Sequence, residues 1–285
     1  PFLKTNAVLG VALSEIWLSK WSPALSKSPL RPVVLASGVD ATAVPHYPTH
    51  ELSEGTVKGL QEYHWPGRAQ IHDMLGQPVR LFMDGAHTTE SIKACVDWFA
   101  THMRAPSVAS HVLMFNCNKP RDPKVLLAPI AEAIAAGHLN IDILYFTMSQ
   151  VSPQYRKDPS NDIAYSAHTK PTWQHEMAGM WAELVAKANG KGAPAAPAGD
   201  LSDWEDALRA EASSSAQKTP ATTQNGRTIV WPQVKIVCNV NEGLDEINAW
   251  INGTEMGPTQ VDVLVTGSLY LVGAMLEYLD YPTDK

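Results

Sequence analysis

The sequence contains 285 residues, of which 22 are basic and 29 acidic, and this gives a formal net charge of −7 at pH 7. Hydrophobic residues make up 45% of the chain and charged residues 18%, a balance typical of a globular protein with a substantial core. An acidic chain without clustered Lys and Arg argues against a nucleic-acid partner or an anionic membrane surface, because both require concentrated positive charge.

The cysteines and the most apolar stretch exclude further classes. Cys95, Cys117 and Cys238 are odd in number and show neither CxxC nor Cys/His spacing. This pattern predicts no disulfide framework and no zinc site, and it is typical of a reducing compartment. The apolar stretch at 261–279 is interrupted by two acidic residues and a Thr-Gly-Ser turn, so we expect no stable membrane insertion.

The predicted elements begin with a helix over 5–20 and a strand candidate at 32–35. Strands and helices alternate from residue 79 onward. We predict strands at 79–84, 112–115, 141–146, 234–237 and 261–265, and helices at 90–103, 123–136, 173–190, 242–251 and 269–279. Repeated β-α pairs with nearly continuous apolar strands indicate an α/β fold, with a mainly parallel sheet and helices on both faces.

A segment at about 191–227 interrupts this alternation. Gly, Ala and Pro dominate its first part, and Ser, Thr, Gln and Gly dominate its last part. Such compositions are typical of flexible chain, so we predict a flexible insertion. Between the two parts, Ser202 and Glu205 form a capping-box pattern that predicts a short helix.

Two turns carry residues suited to a ligand at the carboxyl ends of strands. The first, residues 84–88, reads Asp-Gly-Ala-His-Thr and follows the strand at 79–84. Gly85 permits a tight turn toward outward-facing helix amides, and Asp84 is placed to accept from a ribose hydroxyl. The alternative is that Asp84 and Thr88 cap the helix while His87 is a surface residue.

The second turn, Thr266-Gly267-Ser268, offers a hydroxyl and free amides suited to a carboxylate or phosphate, with helix capping by Ser268 as the alternative. Arg68 is a third candidate, because a guanidinium can hold a phosphate bidentately. It could instead pair with an acidic side chain on the surface. The patterns GxxxxGK[ST], GxSxG and HExxH are absent.

Several ordered motifs resemble the C-terminal half of folylpolyglutamate synthases, which belong to the Mur ligase superfamily. The motifs are Trp65-Pro66-Gly67-Arg68, Met83-Asp84-Gly85-Ala86-His87-Thr88, Phe115-Asn116 with Arg121-Asp122-Pro123, and Leu264-Val265-Thr266-Gly267-Ser268-Leu269-Tyr270-Leu271-Val272-Gly273. The resemblance implies that residues 65–285 form a Rossmann-like C-terminal domain of the Mur ligase type. Residues 1–64 then resemble the end of the central ATP-binding domain, and the long insertion resembles those of fungal members.

This resemblance implies an ATP-dependent ligase that adds L-glutamate to folate through an acyl phosphate, with this chain supplying the closing C-terminal domain. Arg68 and Asp84 match the family's nucleotide contacts, whereas His87 and Ser268 match positions near the incoming glutamate. The implied cofactors are ATP and Mg²⁺, with a monovalent cation as a further candidate. The phosphate loop, the metal ligands and the catalytic residues are expected upstream of Pro1, so we expect this chain alone to be inactive.

The resemblance also implies small-molecule substrates, namely folate, L-glutamate and ATP, and a monomer located in the cytoplasm or also in the mitochondrion. Two alternatives stay open at this point. One is a dihydrofolate synthase or another Mur-type amide ligase, which takes a different acceptor. The other is a truncated, non-catalytic α/β binding module.

Overall fold

A computed structural model describes residues 65–152, 171–190, 221–224, 227–253 and 258–282, together with Lys58, Gly59 and Glu62. The contacts divide the chain into two units, residues 1–64 and 65–285, and almost all described residues belong to the second. The predicted helix over 5–20, the strand at 32–35 and the short helix after Ser202 lie outside the described residues, as does most of the predicted insertion.

The second unit alternates strands and helices along the chain. Its elements are β1 (Gln70–Asp73), β2 (Val79–Met83), α1 (Thr89–His102), β3 (Ser110–Phe115), α2 (Pro123–Ala135), β4 (Ile143–Thr147), α3 (Thr172–Ala188), β5 (Ala221–Gln224), β6 (Arg227–Val230), β7 (Gln233–Val237), α4 (Val240–Asn252), β8 (Val261–Thr266) and α5 (Leu269–Tyr278). The strands and helices predicted from residue 79 onward that fall within the described residues agree with these bounds to within two residues.

Six strands form the main sheet in the order β1-β2-β8-β3-β4-β7. Only β1 runs antiparallel to its neighbour, and the remaining pairs of this sheet are parallel. Every residue of β4 and β8 is buried, as expected for strands covered on both faces. The sheet therefore confirms the predicted mainly parallel α/β fold.

Helices cover both faces of the main sheet. One apolar cluster joins α1, α2 and α3 to alternate residues of the central strands, including Leu113, Phe146 and Leu264. A second cluster joins α4 and α5 to the intervening strand residues, such as Met114 and Val263. Strand side chains alternate between the two faces, so one continuous apolar strand contributes to both clusters.

Two hairpins differ from the sequence prediction. The first hairpin pairs β1 with β2, and the sequence does not predict β1 because its residues, Gln-Ile-His-Asp, include only one apolar side chain. The second hairpin pairs β5 with β6 and lies partly within the predicted flexible insertion. Thr and Gln carry no apolar period there, so backbone pairing forms a hairpin that a hydrophobic pattern does not reveal.

The described cysteines are free thiols, with Cys95 and Cys117 buried. Burial raises the pKa of the Cys117 thiol to about 11 and raises the pKa of Cys95 as well. Both are therefore protonated near neutral pH and unsuited to act as nucleophiles. Among the described helices, none combines the length and hydropathy that a membrane-spanning segment requires.

Candidate functional site

The two turns singled out in the sequence lie at the same edge of the sheet. In the parallel pair β2 and β8, Met83 lies opposite Val265, so both strands end side by side. The backbone N–H of Asp84 donates to the Val265 carbonyl at 3.2 Å and extends this pairing by one residue. The structure thus brings the turn at 84–88 and the Thr266-Gly267-Ser268 turn together at the carboxyl edge.

Glycines allow the turn at 65–68 to pack against the same edge. The backbone N–H of Gly85 donates to the Gly67 carbonyl at 3.2 Å. A Cβ on Gly85 would overlap the Leu269 side chain, and a Cβ on Gly67 would overlap Val272. Both contacts lie on α5, so the Trp65-Pro66-Gly67-Arg68 turn, the Asp84 turn and the first turns of α5 form one surface.

Arg68 and Asp84 lie next to each other on this surface. The Arg68 Nη1 atom is 3.9 Å from Asp84 Oδ1, while Asp84 Oδ2 accepts a 2.8 Å hydrogen bond from the Ala69 backbone N–H. Burial raises the pKa of Asp84, and the Ala69 N–H and the Arg68 guanidinium partly oppose that rise. The pair combines a loosely held cation with a half-buried acceptor.

His87 is oriented by its own turn. Its Nδ1 atom lies 3.0 Å from the Gly85 carbonyl, which can only accept, so the proton of the neutral ring is on Nδ1 and Nε2 carries the lone pair. The backbone N–H of His87 donates to Ser91 Oγ at 3.0 Å. Thr88 forms a capping box with Ser91. Thr88, rather than Asp84, therefore caps α1.

Ser268 occupies the N-cap position of α5. Its Oγ atom accepts a 3.2 Å hydrogen bond from the Tyr270 backbone N–H, and only 1% of the residue is exposed. The capping alternative is thus present in the structure. A contribution of this turn to ligand binding would come mainly from the helix N-terminus that Ser268 organises.

Three large apolar side chains are exposed beside these turns. Trp65 is 60% exposed, Leu269 48% and Tyr270 66%. Trp65 precedes Arg68 in the first turn, and the other two begin α5. Aromatic faces next to a cation and a carboxylate suit the stacking of a planar ring.

A polar network lies at the ends of β3 and β4, and the sequence did not predict it. Asn116, which directly follows β3, donates from Nδ2 to Ser149 Oγ at 2.7 Å. Gln174 Nε2 lies 3.3 Å from Asn116 Oδ1 and 3.4 Å from the Thr147 carbonyl. Asn116 belongs to a motif noted above, whereas nothing in the sequence pattern marks Ser149 or Gln174, because their contacts cross between elements.

The described residues contain no group of three or more His, Cys, Asp or Glu side chains placed to hold a metal ion.

The fold and the site together define a class: a mainly parallel α/β domain whose carboxyl edge presents an Arg-Asp pair, a histidine and two helix N-termini. No protein-family profile matches the sequence. Similar sequences exist among folylpolyglutamate synthases of plants, fungi and mammals, and they confirm the resemblance to that family.

The Arabidopsis thaliana folylpolyglutamate synthase is 27% identical over 328 aligned residues, which cover 96% of this chain and 46% of the plant protein. The Neurospora crassa folylpolyglutamate synthase is 24% identical, and the alignment covers 98% of this chain and 42% of the fungal protein. The human mitochondrial protein is 31% identical over 131 residues, 44% of this chain and 21% of the relative. This chain thus spans less than half the length of these relatives.

Among solved structures, a Mycobacterium tuberculosis folylpolyglutamate synthase complexed with ADP and AMPPCP is 13% identical. The alignment has a TM-score of 0.43 and covers 79% of this chain and 35% of that protein. Escherichia coli FolC in complex with DHPP and ADP is 14% identical, with a TM-score of 0.43. That alignment covers 81% of this chain and 36% of the bacterial protein.

Proposed function

We propose that this chain supplies the closing C-terminal domain of an ATP-dependent ligase that adds L-glutamate to folate. Sequence similarity to folylpolyglutamate synthases over 96% of the chain supports this assignment. The observation that carries it is the single surface at the carboxyl edge, where Arg68 and Asp84 lie beside the starts of α1 and α5. Ligands of open α/β sheets bind at this edge.

The nucleotide is assigned to the part of the surface formed by Arg68 and Asp84. The guanidinium of Arg68 is held only loosely by Asp84, so it can turn toward a phosphate and bind two of its oxygens. The Asp84 carboxylate, fixed by the Ala69 N–H, is placed to accept from a ribose hydroxyl. The exposed rings of Trp65 and Tyr270 offer faces for stacking on the base.

The incoming glutamate is assigned to His87 and to the turn that ends in Ser268. The starts of α1 and α5 direct partial positive charge toward the edge, which favours a carboxylate. His87 adds a ring whose Nε2 atom faces away from its bond to Gly85 and can donate once the ring is protonated.

The proposed reaction has two steps. A carboxylate oxygen of the folate tail attacks the γ-phosphorus of ATP and releases ADP, which leaves an acyl phosphate. The amine of glutamate then attacks the acyl carbon, loses a proton and releases inorganic phosphate. The acyl phosphate hydrolyses in water, so a domain that covers the site protects the intermediate. Mg²⁺, when bound, would neutralise phosphate charge, and the family resemblance implies that its ligands come from outside the described residues.

The test uses the full-length product of the gene that encodes this chain. We expect phosphate release from ATP that requires both tetrahydrofolate and glutamate, with a product heavier by one glutamyl residue. Activity with dihydropteroate as the acceptor would instead indicate a dihydrofolate synthase. Absence of phosphate release with either acceptor would contradict the ligase proposal and favour a non-catalytic binding module.

We further propose that the protein acts as a monomer in the cytoplasm and also in the mitochondrion. The support for the second location is that the similar human and Cricetulus griseus proteins are named as mitochondrial. Light scattering and fractionation of cells that express the full-length product test these two statements separately.

A further inference from the structure

The network formed by Asn116, Ser149 and Gln174 connects α3 to the carboxyl edge. Asn116 and Gln174 are each only 4% exposed. Both polar atoms of the Asn116 amide have partners, because Nδ2 donates to Ser149 and Oδ1 accepts from Gln174. A buried amide with both groups satisfied has one preferred orientation, so this network fixes where Asn116 lies.

Asn116 in turn contacts the turn that precedes α5. Its backbone N–H lies 3.4 Å from the Thr266 carbonyl. Gly267 has φ of +98°, and a Cβ there would overlap the Asn116 carbonyl and lie 2.6 Å from the Phe115 ring. Gly267 therefore packs directly against Asn116, so a displacement of Asn116 changes the space that this turn can occupy.

We propose that Gln174 is a positioning residue for the glutamate site. Its side-chain amide holds Asn116, Asn116 holds the turn at Gly267, and the turn sets the direction of the α5 N-terminus. Gln174 contacts no substrate in this scheme. The inference rests on the proposed role of the Ser268 turn in binding the glutamate carboxylate.

The test compares Gln174→Met with Gln150→Met in the full-length product. Methionine conserves most of the side-chain volume but removes the amide, so loss of packing is kept small. Gln150 is a suitable control because its Nε2 atom donates to the Cys238 carbonyl at 3.1 Å, at the β7 side of the same edge. Steady-state rates are measured with ATP and glutamate varied separately.

We expect Gln174→Met to raise KM for glutamate about threefold to tenfold, the equivalent of one hydrogen bond, with kcat and KM for ATP nearly unchanged. Gln150→Met is expected to leave all three parameters unchanged. Ser149→Ala, which removes the other partner of Asn116, should shift KM for glutamate in the same direction, and it replaces Gln174→Met if that variant does not fold.

Other outcomes separate the two proposals. An unmodified protein without glutamate-dependent phosphate release would contradict the proposed function itself. If the unmodified protein is active, two results for Gln174→Met would overturn the positioning role. One is unchanged kinetics, and the other is a lower kcat together with a rise in KM for both ATP and glutamate. An equal rise of KM for glutamate in Gln150→Met would overturn it too.

Discussion

Arg68 and Asp84 share one ion pair, but the proposed function assigns them different nucleotide groups. In the full-length product we expect Arg68→Ala and Asp84→Ala to raise KM for ATP about tenfold to a hundredfold, the equivalent of one charged hydrogen bond. Their effect on KM for glutamate is expected to be small. Steady-state kinetics with each substrate varied separately measure both effects.

His87→Ala and Ser268→Ala test the glutamate side of the site, because both residues lie at helix starts that suit a carboxylate. We expect these variants mainly to raise KM for glutamate. A rise in KM for ATP with an unchanged KM for glutamate would show that both turns bind the nucleotide.

Asp84 also affects stability through its ionisation. Burial raises its pKa from the ordinary value of 3.8, so ionisation costs more in the folded than in the unfolded protein. Its contribution to stability is therefore complete below pH 3.8 and declines as the pH rises through the raised folded pKa. We expect Asp84→Asn to raise the melting temperature at pH 7 and to remove this part of the pH dependence.

Asp84→Ala is the matched control for that experiment, since alanine removes the charge and also leaves the Ala69 N–H without its acceptor. Thermal melts between pH 4 and pH 8 check both variants. A lower melting temperature of Asp84→Asn than of the unmodified protein at pH 7 would show that the ion pair with Arg68 outweighs the burial of Asp84.

At the scale of elements, the connection between β8 and α5 depends on Gly267. Its positive φ and the close approach of Asn116 leave no room for a side chain. We expect Gly267→Ala to cost about 2–4 kcal/mol, the sum of backbone strain and a steric overlap. The free energy of unfolding in urea measures this loss.

Gly273→Ala provides the control within α5. A Cβ at Gly273 has no neighbour within 4 Å, and alanine favours a helix over glycine by about 1 kcal/mol. We expect Gly273→Ala to be neutral or stabilising. If both variants lost the same free energy of unfolding, strain at Gly267 would not be the cause of the destabilisation.

At the scale of the whole molecule, the chain lacks the GxxxxGK[ST] pattern that positions the β- and γ-phosphates in phosphate-loop enzymes. We therefore expect the purified 285-residue chain to show no glutamate-dependent release of phosphate from ATP. A malachite-green assay measures this, with the Arabidopsis thaliana folylpolyglutamate synthase as the positive control. Release by the chain alone would contradict this prediction.

The sequence by itself determined the α/β class and the edge at which the candidate residues meet. Near-continuous apolar strands such as Val261–Thr266 require cover on both faces, and this leads to a parallel sheet. Parallel strands end at one edge, so the position of Asp84 and Ser268 at strand ends is enough to predict that they share one surface. The roles of these residues toward ATP and glutamate remain predictions.

Only the tertiary structure decided which polar atoms meet across elements. Pairing of β1 with β2, the hairpin of β5 and β6, and the bond between Gln174 and Asn116 join residues that no apolar period links. For Ser268 the sequence left ligand binding and helix capping open, and the structure shows the buried hydroxyl accepting from the Tyr270 backbone N–H as a helix cap. Hydrophobic periodicity reports which face of an element is buried, whereas hydrogen-bond partners follow from how neighbouring elements pack, and that depends on the whole chain.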